Sequence, residues 1–287
     1  LTSCAFGPQA IDQPARTAVF INVVDERGAP VTDATVELID THGRRRTSEH
    51  RADHNGAARL EVSDPAVIVV SAPGRLDEPA VIGPDDNGLT IALWDREDDR
   101  GRPRVSMHFG GDVMLGRRYL DLDRPTASAS TGVGARRIVR HLAPLAERAD
   151  WTVVNLETVV GDLDDDGALV AKRFPLRSEP FIVDALDEMG VDVVALGNNH
   201  AYDWGPTGLI ETFEILEAAG IGHVGAGLTA DDAIRGRLDD VGGISVGTVS
   251  FTTVNGDYVN DQLPVGTDAV PPDVPAADAW QYELRRF

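Results

Sequence analysis

Cysteine, lysine and long apolar runs are scarce in this chain. Cys4 is the only cysteine in 287 residues, so no disulfide can form within the chain. Lys172 is the only lysine among 26 basic residues, a bias of genome composition or salt adaptation rather than of mechanism. No stretch approaches the ~20 consecutive apolar residues that a membrane-spanning helix needs. Positive charge is outnumbered as well: 47 Asp and Glu against 26 Lys and Arg give a formal net charge of −21. Such a surface repels phosphate backbones and carries no basic footprint, which excludes nucleic acid as a partner, and it favours solubility. What is present suffices for packing. The hydrophobic share of 42% is ordinary for a globular protein. The length suggests about two domains.

The chain opens Leu1-Thr2-Ser3-Cys4, without an initiator methionine. These four residues resemble a bacterial lipobox, in which the cysteine receives a lipid. On that reading Cys4 is a lipidation site and residues 1–16 form a polar tether. The protein is then extracytoplasmic, anchored to the cell envelope by lipid rather than by a helix. The basic start and apolar middle of a signal are not in the chain. A lone cysteine at a ragged terminus is the alternative.

Residues 17–95 read as β-structure. Val19, Ile21 and Val23 alternate with opposite-face residues, as do Ala34, Val36 and Leu38, then Ala58, Leu60 and Val62. Ala66 to Val70 is a short apolar run, and Leu89, Ile91 and Leu93 make a last strand. Asp25-Glu26-Arg27-Gly28 and His54-Asn55-Gly56 are turn signals. Short, evenly spaced strands suggest a small β-sandwich. The pattern from Val23 to Leu38 resembles carboxypeptidase-regulatory-like domains, which implies a spacer or binding module. His42, His50 and His54 lie in polar turns and read as solvated. The charged run 96–104, with Gly101 and Pro103, reads as a linker.

From Val105 the period changes. Val105–Phe109, Trp151–Leu156, Val191–Leu196, Gly222–Val224 and Ile244–Thr253 read as strands. Ala135–Arg148, Phe181–Met189 and Thr207–Ala219 read as helices, the last two followed by Gly190 and Gly220 as C-cap signals. Strands alternating with helices imply an α/β layer with a mostly parallel sheet over residues 105–287. Polar residues gather at the carboxyl ends of three of these strands, where open α/β sheets hold ligands. They are Asp112 after Gly111, Asn155 and Glu157, then Asn198-Asn199-His200 followed by Asp203. Carboxylate, amide and imidazole donors suit Mn, Mg, Zn or Fe, and carboxylates from neighbouring strand ends can bridge two ions. A nearby histidine can protonate a leaving group or stabilise developing charge. Each residue also has a plainer reading: Asp112 as a helix N-cap, Glu157 as solvated, Asn198 and Asn199 as turn formers.

In order and spacing, GDVMLGR (111–117), NLE (155–157) and GNNH-A-x-D-x-G (197–205) resemble the CapA family of poly-γ-glutamate capsule proteins. So does Phe174–Pro180, the stretch before the helix that leads to the NNH strand. The resemblance covers Ser106 to about Phe251. It implies an α/β fold, a metallophosphoesterase-like α/β/β/α sandwich, preceded here by the β-sandwich domain. It implies a divalent metal held by Asp112, Glu157, Asn199 and His200, with His200 the catalytic acid and Asp203 orienting it. Arg117, Lys172, Arg173 and Arg177 become candidates to grip an anionic polymer or other envelope substrate, with surface charge as the alternative. Two departures stand out. Phosphoesterases keep a histidine where this chain has Met114. The family's later His-Trp-Gly and Gly-His-x-His motifs are also missing, His223 being the only histidine after His200. The sequence therefore reads as a fragment cut at both ends, with the C-terminal part of the fold incomplete. The implied function is capsule or poly-γ-glutamate synthesis or export, by a metal-dependent hydrolase or transferase. The alternatives are a non-enzymatic polymer-binding assembly factor and a metallophosphoesterase.

Overall fold

The computed structural model describes residues 16–39, 48–115, 132–140, 142–164, 167–168, 175–252 and 266–267. Cys4, His42, Arg117, Lys172 and Arg173 lie outside the described residues. The chain divides into two compact units, one up to Trp94 and one from Asp95.

In the first unit the period-two pattern becomes seven strands: β1 (Thr17–Asp25), β2 (Thr35–Ile39), β3 (Ser48–Arg51), β4 (Ala57–Val62), β5 (Ala66–Ser71), β6 (Glu78–Ile82) and β7 (Leu89–Leu93). They form two sheets, ordered β4-β1-β7 and β3-β2-β5-β6. Val19, Ile21 and Leu60 of the first sheet join Val36, Ile68 and Ile82 of the second in one buried cluster. Strands β3 and β6 carry little alternation of their own. They form because β2 and β5 offer them edges to pair with.

One turn recurs. Asp25 donates its N–H to the Ala29 carbonyl at 2.8 Å and accepts from the N–H of Gly28 at 2.9 Å. Its carboxylate takes the N–H groups of Arg27 and Ala29 at 2.9 and 2.8 Å. Asp53-His54-Asn55-Gly56 repeats this pattern, as does Asp98-Asp99-Arg100-Gly101 in the expected linker. The three glycines take φ of 83°, 75° and 69°, the left-handed conformation that a Cβ disfavours. The run 96–104 is therefore folded as a hairpin. In each turn the N–H groups stabilise the ionised carboxylate and lower its pKa. Asp98, held first by the Arg102 side chain, falls to about 2.

The second unit is built on a four-stranded sheet of β8 (Met107–Val113), β9 (Trp151–Leu156), β12 (Val193–Ala195) and β13 (Gly222–Val224), in the order β13-β12-β9-β8 and parallel throughout. Short pairs complete the chain order: β10 (Val159–Val160) with β11 (Arg177–Ser178), β14 (Ala226–Gly227) with β17 (Gly266–Thr267), and the hairpin β15 (Arg237–Val241) with β16 (Ile244–Thr248). The helices are α1 (Gly132–Val139), α2 (Ala143–Ala146), α3 (Ile182–Glu188), α4 (Gly205–Ala218) and α5 (Ala230–Ala233). On one face of the sheet Val154, Leu156 and Val194 pack with Ala135, Ile182, Leu186, Leu209 and Leu216 from the helices. On the other, Trp151, Val153, Val193 and Val224 meet Val241 and Val246 of the hairpin. Buried on both faces, the central strands read as continuous apolar runs.

The expected helix over Ala135–Arg148 is broken into α1 and α2. Pro144 is the cause: it has no N–H to give and its ring clashes with the carbonyl four residues back, at Arg140. Helices α3 and α4 end as their glycines suggested. Val191 N–H bonds to Leu186 O at 3.0 Å and Ile221 N–H to Leu216 O at 2.9 Å, around Gly190 (φ 62°) and Gly220 (φ 73°). Among the described residues no helix is long and apolar enough to cross a membrane.

His223 in β13 stacks on Phe213 of α4, with ring centroids 4.3 Å apart and planes 5° apart. Among the described residues its buried Nδ1 has no hydrogen-bond partner. Burial holds its pKa below the ordinary imidazole value, and the Arg237 charge adds to that. A depressed folded pKa means the unfolded chain takes up protons first as the pH falls, so stability declines below about pH 6.5. Melting temperatures at pH 7.5 and 5.5 should show this loss, and His223→Phe should remove it. An equal loss in that variant would refute the assignment.

Candidate functional site

The carboxyl ends of β8, β9 and β12 lie side by side, and the register explains why. Phe109 pairs with Val153, but the next pair is Asp112 with Asn155, because Gly110 and Gly111 face a single residue of β9. This bulge advances Asp112 by one position and sets it beside Asn155. Gly110 permits it: a Cβ there would sit 2.8 Å from Cγ1 of Val154. Ala195 pairs with Asn155 from the other side, and the chain leaves β12 through Gly197 to Asn198.

A polar chain crosses the three strand ends. Asn155 donates through Nδ2 to Asp112 Oδ1 at 2.8 Å. Asn198 donates through Nδ2 to Asn155 Oδ1 and to the Leu156 carbonyl, both at 3.0 Å. Asn198 Oδ1 accepts the N–H groups of His200 and Ala201 at 2.9 and 3.0 Å, closing the turn that carries His200. Asn198 is 6% exposed, whereas Asp112 is exposed.

His200 Nδ1 lies 2.9 Å from Asp203 Oδ2. The same oxygen accepts the Leu176 N–H at 2.6 Å, and Asp203 is fully buried. A carboxylate oxygen that takes the Leu176 N–H is an acceptor toward the ring as well. His200 Nδ1 is therefore assigned the hydrogen, and Nε2 presents the lone pair. The segment around Leu176 straps the site together. Ser178 Oγ accepts the Leu115 N–H at 3.0 Å and donates to Thr158 Oγ1 at 3.2 Å, with Thr158 and Ser178 fully buried.

Asp112, Asn199, His200 and Asp203 thus belong to one end of one sheet. Glu157 follows Asn155 by two residues, its N–H bonded to the Val113 carbonyl at 3.1 Å. Arg177, expected as a grip for anionic substrate, makes bonds within the protein through one of its nitrogens. Its Nη1 donates to the Gly161 carbonyl at 3.1 Å and to Glu179 Oε1 at 2.9 Å, and the side chain is 16% exposed. The guanidinium staples β11 to the end of β10. Arg117, Lys172 and Arg173 lie outside the described residues. Asn155 and Asn198 were visible in the sequence as strand-end polar residues, but nothing there pairs them. Their partners lie 43 residues away in sequence for both bonds.

As a metal centre the described residues fit incompletely. Asp112 keeps Oδ2 outside the amide bond, a usable anchor for a hard cation. Among the described residues, however, no three His, Cys, Asp or Glu side chains are grouped to hold an ion.

The second unit is thus an α/β layer with a parallel sheet whose carboxyl end brings together a histidine bonded to a buried aspartate and an exposed carboxylate. The bacterial capsule synthesis protein family PGA_cap matches residues 106–283, and the chain belongs to that family. It is 29% identical over 196 residues to a capsule biosynthesis protein, CapA, of Bacillus anthracis, covering 65% of this chain and 46% of that protein. It is 28% identical over 153 residues to a PGA biosynthesis protein, CapA, of Bacillus subtilis, covering 53% of this chain and 38% of that protein. The matched regions span less than half the length of either relative.

Proposed function

We propose that this chain serves the synthesis or export of poly-γ-glutamate or a related anionic capsule polymer, and handles that polymer at the carboxyl end of the parallel sheet. Family membership and the names of the two relatives support the polymer class. The observation that carries the placement is the buried Asp203 carboxylate holding the His200 ring at the same end of the sheet as the exposed Asp112 carboxylate. In this reading His200 Nε2 takes the proton of the attacking water or hydroxyl and then gives it to the amine leaving the scissile bond, while Asp203 fixes the ring. Hydrolysis or transfer at an amide bond of the polymer is the reaction class. A divalent cation (Mn, Mg, Zn or Fe) belongs to the proposal, with Asp112 as anchor and Glu157, Asn199 and His200 as further donors. Bound, it would polarise a carbonyl oxygen. The helix–sheet–hairpin layering agrees with three layers of a metallophosphoesterase-like sandwich. The N-terminal unit, two sheets around one core, suits a carboxypeptidase-regulatory-like spacer or binding module. An envelope location, with lipid on Cys4, completes the proposal.

The test is incubation of the full chain with poly-γ-glutamate, with and without Mn²⁺, following chain length and released amines. Asp112→Asn and His200→Ala are each expected to lose about 100-fold or more of the turnover. Full activity in both would sink the enzymatic reading. A second reading has its own support, since no three acidic or imidazole side chains are grouped among the described residues. On it the same site binds polymer without cutting it, and the wild-type chain shows retention on the polymer with no change in its length.

A further inference from the structure

We propose that Asn155 is a positioning residue, the centre of a one-way hydrogen-bond relay that ties the Asp112 carboxylate to the turn carrying His200. The inference rests on the reading of this site given above, and it concerns a residue to which that reading assigns no role.

The direction of the relay follows from the backbone. The N–H groups of His200 and Ala201 both require an acceptor, so Asn198 must turn Oδ1 toward them. Its Nδ2 must then face Asn155 and the Leu156 carbonyl. All four hydrogen-bonding positions of the Asn198 amide are filled, and at 6% exposure the group cannot flip without burying unmet donors and acceptors. Asn155 must therefore accept through Oδ1 and has only Nδ2 left to offer Asp112. The last member has to be an acceptor, and in this chain it is a carboxylate. A charge-assisted bond of 2.8 Å fixes the Asp112 side chain at an otherwise exposed strand end. Two neutral amides thus hold the anion of β8 and the imidazole of the β12 loop in one register. An aspartate at position 155 could accept from Asn198 but could not donate to Asp112, and two carboxylates would face each other at hydrogen-bond distance.

The experiment is a double-variant cycle on the full chain in the presence of a chelator, at neutral pH. Asn155→Asp is expected to lower the melting temperature by about 3 °C or more. Asp112→Asn alone should change it little, because the new amide can still accept from Asn155. Combining the two exchanges the groups: the carboxylate at 155 accepts from both amides, and the lost stability should return. An unchanged melting temperature in Asn155→Asp, or a swap no more stable than that variant, would overturn the relay.

Positioning has a separate readout. In Asn155→Ala the His200 backbone amide, bonded to Asn198, and the His200 ring nitrogens should shift in nitrogen-correlated NMR spectra. A His200 spectrum identical to wild type would overturn the positioning role. The swapped variant, stable but with its charge moved from β8 to β9, should lose at least tenfold in polymer affinity; unchanged affinity would show that the location of the anion does not matter, also against the proposal. Melting and NMR need no polymer, so the relay and the functional reading can fail independently.

Discussion

Asp203→Asn is expected to leave the fold standing while lowering His200-dependent turnover of the polymer by about 100-fold or more. The amide is nearly isosteric with the carboxylate. Its oxygen can keep the Leu176 N–H, now held at 2.6 Å by a fully buried group. That same oxygen also faces His200 Nδ1 at 2.9 Å, so the ring keeps its partner. What is lost is the negative charge that stabilises the imidazolium once Nε2 has taken up a proton. Asp203→Ala goes further. It abandons the Leu176 N–H in a buried place, at a cost of about 1–3 kcal/mol, and lets the ring rotate. The two variants separate the buried charge from folding. The asparagine variant should lose rate with little change in melting temperature, and the alanine variant should lose both. Wild-type turnover in Asp203→Asn would remove His200 from the chemistry as drawn here.

The largest expected loss of stability comes from Gly225→Ala. Gly225 has φ of 88°, and a Cβ there would lie 2.6 Å from the Gly197 nitrogen and 2.7 Å from both Cβ and the carbonyl oxygen of Ser250. Gly197 meets the same residue from below: its own Cβ would fall 2.5 Å from the Phe251 nitrogen, and its N–H bonds to Ser250 Oγ at 3.1 Å. Chain leaving β16 thus crosses directly over the ends of β12 and β13, at main-chain contact distance. An added methyl at 225 carries a left-handed backbone penalty of about 1–2 kcal/mol and an overpacking penalty of about 1–3 kcal/mol. Together these predict a loss of about 3 kcal/mol, read as a fall in melting temperature of about 6–12 °C. Because the crossing abuts Asn198, polymer binding should weaken with it. A fall of under 2 °C would mean that the crossing is looser than described.

The site was partly legible before the fold was known. Asp112, His200 and Asp203 stood out as polar residues at or just after strand ends, where open α/β sheets hold ligands, with glycines beside Asp112 and Asn198. For Arg177 a sequence shows that a guanidinium is present, but not that its Nη1 bonds to Glu179 and the Gly161 carbonyl. The split of the expected helix at Pro144 was legible in principle, since proline acts on its own turn. The relay through Asn155 and Asn198 was not, because each bond joins residues 43 positions apart.

By itself the sequence determined what depends on neighbours along the chain. That covers the alternating strands of the first unit, the Asp-x-x-Gly turns, the glycine-capped ends of α3 and α4, and the apolar runs that become a parallel sheet. These follow from local sterics and from periodicity in burial, and both are written within a few residues. Only the tertiary structure decided which polar groups meet. It set the bulge that brings Asp112 level with Asn155, the direction of the amide relay, the burial of Asp203 under Leu176, and the glycine crossing at Ser250. Hydrogen bonds and close contacts depend on distances of a few tenths of an ångström between distant segments, and those distances exist only once the sheet has assembled.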